Sequence, residues 1–86
     1  MNATTLEQAF ALTKQFTSKP SNEELLKIYG LYKQATEGDN TTERPGGFDF
    51  IAAAKYNAWM NLKGKSKEEA TKEYIDLINA LSAKYI

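Results

Sequence analysis

Two phenols and an ammonium group share a short stretch of this chain: Tyr29, Tyr32 and Lys33. At about 100° per residue along a helix, both tyrosines fall on one apolar stripe and Lys33 on its edge. A tyrosine buries its ring readily but needs a partner for its hydroxyl. Two phenols beside an ammonium can hold an anion. The plainer reading is a core boundary, with Lys33 laying its stem on apolar surface and its charge in water. Lys55 raises the same choice. By angle it falls between Trp59 and Leu62, inside an apolar arc, so its charge must reach water or meet an anion. Lys14, one turn from Phe10, reads as a solvated boundary residue.

Other chemistry is sparse. The 86 residues include no cysteine and no histidine. That removes thiolate nucleophiles, disulfides, zinc–thiolate sites and the commonest general base and metal ligand. No metal site is expected. No two carboxylates stand out as an acid–base couple: Asp49 reads as a helix cap, and Glu68 and Glu69 as partners of a helix dipole. Gly46-Gly47 follows Pro45 and reads as a tight turn, not a phosphate loop. The basic run from Lys63 to Lys67 reads as helix-terminal and solvated lysines, and Trp59 as core.

Lys plus Arg and Asp plus Glu are 11 each, so the net charge is zero. This argues against a nucleic-acid binder, which is usually basic. Any bound anion must be held by local cations. No apolar run reaches the roughly 18 residues of a membrane span, so no stable insertion is expected. The first ten residues lack the basic start and apolar stretch of a secretory signal. At this length one domain, 1–86, is expected.

The elements that must position these residues are helices. Ala, Leu, Lys and Glu dominate, and strand-type alternation is absent. Capping boxes are expected at Thr4 with Glu7, Ser21 with Glu24 and Ser66 with Glu69. Helices are expected from Thr5 to Phe16, Asn22 to Glu37, Phe50 to Lys63 and Lys67 to Lys84. In the second, Leu25, Ile28, Tyr29, Tyr32 and Ala35 form the stripe expected to be buried. In the fourth it is Ala70, Tyr74, Leu77, Ile78, Leu81 and Tyr85. Asp39 to Gly47 is polar and rich in turn formers, a loop long enough to cross a bundle from end to end. The fold class is therefore all-α, a four-helix bundle with a long loop between helices 2 and 3.

The run from Pro20 to Gly38 closely resembles the signature of the acyl-CoA-binding protein family. Its core is Tyr29-x-x-Tyr32-Lys33-Gln34-Ala35-Thr36-x-Gly38-Asp39. Thr42 to Gly46, Ala54-Lys55, Ala58-Trp59, Leu62 to Gly64, Ser66 to Glu68 and Tyr74 to Asp76 match as well. The likeness runs from about Leu6 to Tyr85. It implies helices in up-down-down-up order. It also implies binding of long-chain acyl-CoA thioesters without catalysis, by a cytoplasmic carrier and pool former. No cofactor is implied, and the protein is expected to be a monomer with at most transient contacts to acyl-CoA-using enzymes. Carried over by position, Tyr29, Lys33 and Lys55 would hold the 3′-phosphate. Tyr32 would pack near the adenine and the groove, Tyr74 would contact the nucleotide, and Lys14 would reach the ligand from the first helix. Leu25 and Ile28 would touch the acyl chain. Ile51 stands where a lysine is common in the family, Tyr56 where Trp is common, and Leu6 where an aromatic is common.

Two other functions compete. One is a helical protein-interaction module that has kept the fold and lost the ligand. The other is an enzyme such as a thioesterase, for which no Ser or Asp has a visible activating base.

Overall fold

The computed structural model describes residues 2–86; Met1 lies outside them. Four helices follow in order: α1 Leu6–Thr13, α2 Asn22–Glu37, α3 Phe50–Met60 and α4 Lys67–Tyr85. Local chemistry explains most of their ends. Ser21 and Ser66 each accept from the amide three residues on, while Glu24 and Glu69 accept from the serine amides. Asp49 caps α3 by accepting from the Ala52 amide at 3.0 Å.

The start of α1 is offset from the expected box at Thr4 and Glu7. Thr5 is the cap, accepting from the Gln8 amide, and the Gln8 side chain accepts from the Thr4 amide. With two threonines in a row the cap moves one residue later, and the Gln8 side chain bonds to Thr4 instead of closing a box on the Thr5 amide. α1 also ends at Thr13, not Phe16. The Thr13 hydroxyl donates to the Phe10 carbonyl at 2.6 Å, and the Lys14 amide turns to Ala11 instead. A side-chain hydroxyl thus competes with the backbone ladder. α3 likewise tightens past Met60, where the Leu62 and Lys63 amides bond three residues back.

Side-chain contacts fix the directions. The chain before α1 bonds to Asn79 and the chain after it to the Tyr85 carbonyl, so α1 and α4 run together. Tyr85 at the end of α4 reaches Glu24 at the start of α2, and Gln34 reaches the Lys65 carbonyl, so α2 and α4 are antiparallel. Lys55 lies over Tyr29 and Lys33 over Trp59, so α2 and α3 are parallel. The order is up-down-down-up. Residues 38–49 make the long return, pinned at its start: Trp59 Nε1–H donates to the Gly38 carbonyl, and Asp39 accepts from Gln34 and from the Gly64 amide.

α2 is central, packing on α4 and α3, while α1 packs on α4. Its fully buried residues are Gly30, Leu31, Gln34 and Ala35. This corrects the expected stripe. Of Leu25, Ile28, Tyr29, Tyr32 and Ala35, only Ala35 is fully buried; the rest are half-buried. Leu25 and Gln34 are nine residues apart, about two and a half turns, so they face opposite ways. Leu25, Ile28, Tyr29 and Tyr32 therefore line a half-open face of α2, while Gly30, Leu31, Gln34 and Ala35 face the core.

Gly30 sets the α2–α3 approach. A Cβ built there would lie 2.8 Å from the Ala58 carbonyl oxygen, a backbone atom that cannot step aside. Gly30→Ala is expected to destabilise the fold by about 1–3 kcal/mol, measured by denaturant unfolding. Unchanged stability would show that the helices slide apart freely.

Glu24 joins the ends of α2 and α4. It accepts from Tyr85 Oη at 2.6 Å and from the Ser21 amide at 2.8 Å, with Lys84 nearby. Those donors, the Tyr85 hydroxyl first, lower its pKa from 4.5 to about 2. A carboxylate depressed in the folded state stabilises the fold above its unfolded pKa. That contribution drains as the pH falls from about 4.5 towards 2. Melting temperature followed from pH 6 to pH 2 is expected to fall. Glu24→Gln starts lower at pH 6 and falls less steeply. It keeps some slope, because Asp39 and Glu69 are depressed too, each first by a backbone amide. An identical acid slope in the variant would contradict this role.

Candidate functional site

The open face of α2 is the candidate site. Along it, Leu25, Ile28, Tyr29, Tyr32 and Lys33 follow one another over two turns. α1 and α3 stand on either side without packing on each other.

From α3, Lys55 reaches across until its Nζ lies 5.4 Å from the Tyr29 ring centroid. Its position inside an apolar arc thus resolves without burial: the side chain is exposed and rests on a ring of the neighbouring helix. Lys33 Nζ lies 4.9 Å from the Trp59 ring centroid and is hydrogen-bonded to Glu37, one turn further along α2. That bond, more than burial opposes it, raises the Lys33 pKa. Lys33 is therefore a cation at neutral pH. Tyr29 thus has Lys55 over its ring and Lys33 one turn further along α2. Among the described residues, Lys55 has no carboxylate partner.

Tyr32 continues the surface towards α1. Its ring stacks tilted on Phe10, centroids 5.0 Å apart, and on Tyr74 at 5.5 Å. Lys14 Nζ lies 4.9 Å from the Phe10 centroid, so Lys14 flanks the face from the α1 side. Tyr74 is different. It is 1% exposed, in the core behind Tyr32, and burial pushes its phenol up to about 12. It stays neutral at any physiological pH and supports Tyr32 from beneath. In this conformation its place is the floor of the site, not its rim.

Beyond Ile28 and Leu25 the face opens into an apolar groove of about 510 Å³. Thr13 at the end of α1, Phe16 just beyond it, and the segment through Pro20 form its other wall. Leu25 is one turn from Tyr29, and Ile28 one turn from Tyr32. A cationic, aromatic mouth therefore runs directly into an apolar trough. That arrangement suits an amphiphile with an anionic aromatic head and a hydrocarbon tail.

Sequence reasoning missed two members. One is Phe10, which is 40% exposed and stacks on Tyr32 at the α1 side. Glu37 escaped notice although its spacing of four from Lys33 is the standard one for a helical ion pair. Among the described residues no group of three or more His, Cys, Asp or Glu could hold a metal ion. No described helix is long and apolar enough to cross a membrane.

Known proteins resemble this chain in sequence and fold. A family model described as acyl CoA binding protein matches residues 4–78. An acyl-CoA-binding protein of Dictyostelium discoideum is 52% identical over 82 residues, covering 95% of this chain and 98% of that one. The crystal structure of Oryza sativa acyl-CoA-binding protein 2 superposes with a TM-score of 0.87 at 43% identity, covering 92% of this chain and 88% of the other. The solution structure of the yeast acyl coenzyme A binding protein gives a TM-score of 0.72 at 54% identity, covering 92% and 91%.

Proposed function

The chain belongs to the acyl-CoA-binding protein family, and we propose that residues 1–86 act as one domain that binds long-chain acyl-CoA thioesters and carries them. The observation that supports this most is the continuity of the α2 face. Tyr29, Lys33 and Lys55 gather at one end, and Leu25 and Ile28 line a groove at the other.

The division of labour follows from the chemistry. The 3′-phosphate of the nucleotide sits between Lys33 and Lys55, where charge-assisted hydrogen bonds are short and strong. The Tyr29 hydroxyl adds a donor. The Tyr32 ring, braced by Phe10 and Tyr74, offers a flat apolar surface to the adenine. Tyr74 meets the nucleotide through that ring. Lys14 adds a cation at the α1 edge. The acyl chain lies over Ile28 and Leu25, out of water. Binding needs no cofactor and makes or breaks no covalent bond. The protein works as a cytoplasmic monomer that keeps a pool of acyl-CoA available and meets acyl-CoA-using enzymes only transiently. The names of its relatives favour this over a module that has lost its ligand.

Calorimetric titration with dodecanoyl-CoA is expected to show one ligand per chain, with a change in Trp59 emission as Lys33 shifts off its ring. Release of free thiol should not accompany it. Absence of heat and of any emission change would contradict the proposal, and steady thiol release would make the protein a thioesterase.

A further inference from the structure

Lys33 and Lys55 do not enter the ligand-free clamp on equal terms. Lys55 is exposed, with no carboxylate beside it among the described residues. Lys33 is already engaged: its side chain is 27% exposed and is paired with the Glu37 carboxylate, which is 52% exposed. Tyr29 lies one turn before Lys33 on α2 and Glu37 one turn after it. The ammonium therefore stands between two directions. Towards Glu37 it meets a resident anion. Towards Tyr29 it meets the space that Lys55 also reaches.

We infer that Glu37 is a resident counter-ion that an incoming phosphate must displace from Lys33, and that it thereby limits the affinity of the site for phosphorylated ligands. This rests on the acyl-CoA reading above and concerns the same site. A phosphate held by Lys33 and Lys55 draws the Lys33 ammonium away from Glu37 or shares it with Glu37. In the first case an ion pair is lost. In the second a carboxylate and a dianion stand close together, and like charges repel. Both outcomes weaken binding relative to a site without the carboxylate. Glu37 touches no ligand in this account; it acts through Lys33, as a positioning residue.

The test is calorimetric titration of Glu37→Gln with dodecanoyl-CoA and with its 3′-dephospho analogue. Glu37→Gln is expected to bind dodecanoyl-CoA about three- to tenfold more tightly than wild type, from the worth of an exposed ion pair plus relief of repulsion. The gain should vanish with the 3′-dephospho analogue. It should also vanish when Lys33→Ala is already present, because the two side chains act as one unit. Glu37→Ala should show the same gain, which separates loss of the carboxylate from any new contact made by glutamine. Glu23→Gln, the same charge change at the far end of α2, controls for net charge and should bind as wild type does. Equal or weaker binding by Glu37→Gln overturns the inference. So does a gain that survives in Lys33→Ala or with the dephospho ligand, or one that Glu23→Gln matches. If wild type binds and Lys33→Ala weakens it, any of these results overturns the inference alone. If wild type binds no acyl-CoA, both the reading and the inference fall.

Discussion

Dodecanoyl-CoA will bind this protein about a hundredfold more tightly than octanoyl-CoA. Four added methylenes leave water for the trough that Leu25, Ile28 and Phe16 line. Each is worth about 0.8 kcal/mol, so four contribute roughly 3 kcal/mol, which is about two orders of magnitude in affinity. The head group is identical in the two ligands, so the comparison isolates the chain. The gain should level off once the groove is full. Leu25 and Ile28 are half-buried without ligand, which leaves apolar surface still to be covered. Calorimetric titration across a series of chain lengths checks this. A flat response from eight to twelve carbons would remove the acyl groove from the account.

At the other end of the ligand, Lys33→Ala or Lys55→Ala is expected to weaken dodecanoyl-CoA binding by about 1.5–3 kcal/mol each, the range for hydrogen bonds to charged groups. That is roughly a ten- to 150-fold rise in Kd. Tyr29→Phe loses one hydroxyl and keeps the ring under Lys55, so it should cost less. Neither lysine is buried in the core: Lys55 is exposed, and Lys33 is half-buried with its ammonium over the Trp59 ring. Melting temperatures of the variants should therefore stay close to wild type, which separates binding from folding. Affinities within error of wild type for both lysine variants would contradict the clamp.

Features set by neighbours in the chain could be read from the sequence. The boxes at Ser21 with Glu24 and Ser66 with Glu69 depend on residues three apart and stand as expected. The polar stretch from Asp39 to Gly47 announced a crossing, and the structure puts the return between α2 and α3 there. The lysines at 33 and 55, placed by angle at or inside apolar arcs, rest on the rings of Trp59 and Tyr29.

What failed was the assignment of faces. Hydrophobicity marked Leu25, Ile28, Tyr29 and Tyr32 as the core of α2. The core side holds Leu31 and Ala35 together with Gly30, which has no side chain to score, and Gln34, a polar residue that is 0% exposed. Gln34 is tolerable there because its amide donates to Asp39 and to the Lys65 carbonyl, partners 5 and 31 residues away. No local pattern carries that information. A face kept for a ligand and a face kept for a core look alike in sequence, since both are apolar. Tyr74 shows the converse: the apolar stripe of α4 marked it as buried, as it is, and the packing of Tyr32 over it places it beneath the open face of α2.

The central claim is that Lys33 and Lys55 together read the 3′-phosphate of an acyl-CoA. The most direct test measures dodecanoyl-CoA and its 3′-dephospho analogue against wild type and against the Lys33→Ala/Lys55→Ala double variant. Removing the phosphate should weaken wild-type binding by a few kcal/mol, at about 1.5–3 for each charged hydrogen bond lost. In the double variant the same removal should change little, because the partners are already gone. Equal losses in the two proteins would show that the phosphate is held elsewhere and would contradict the account.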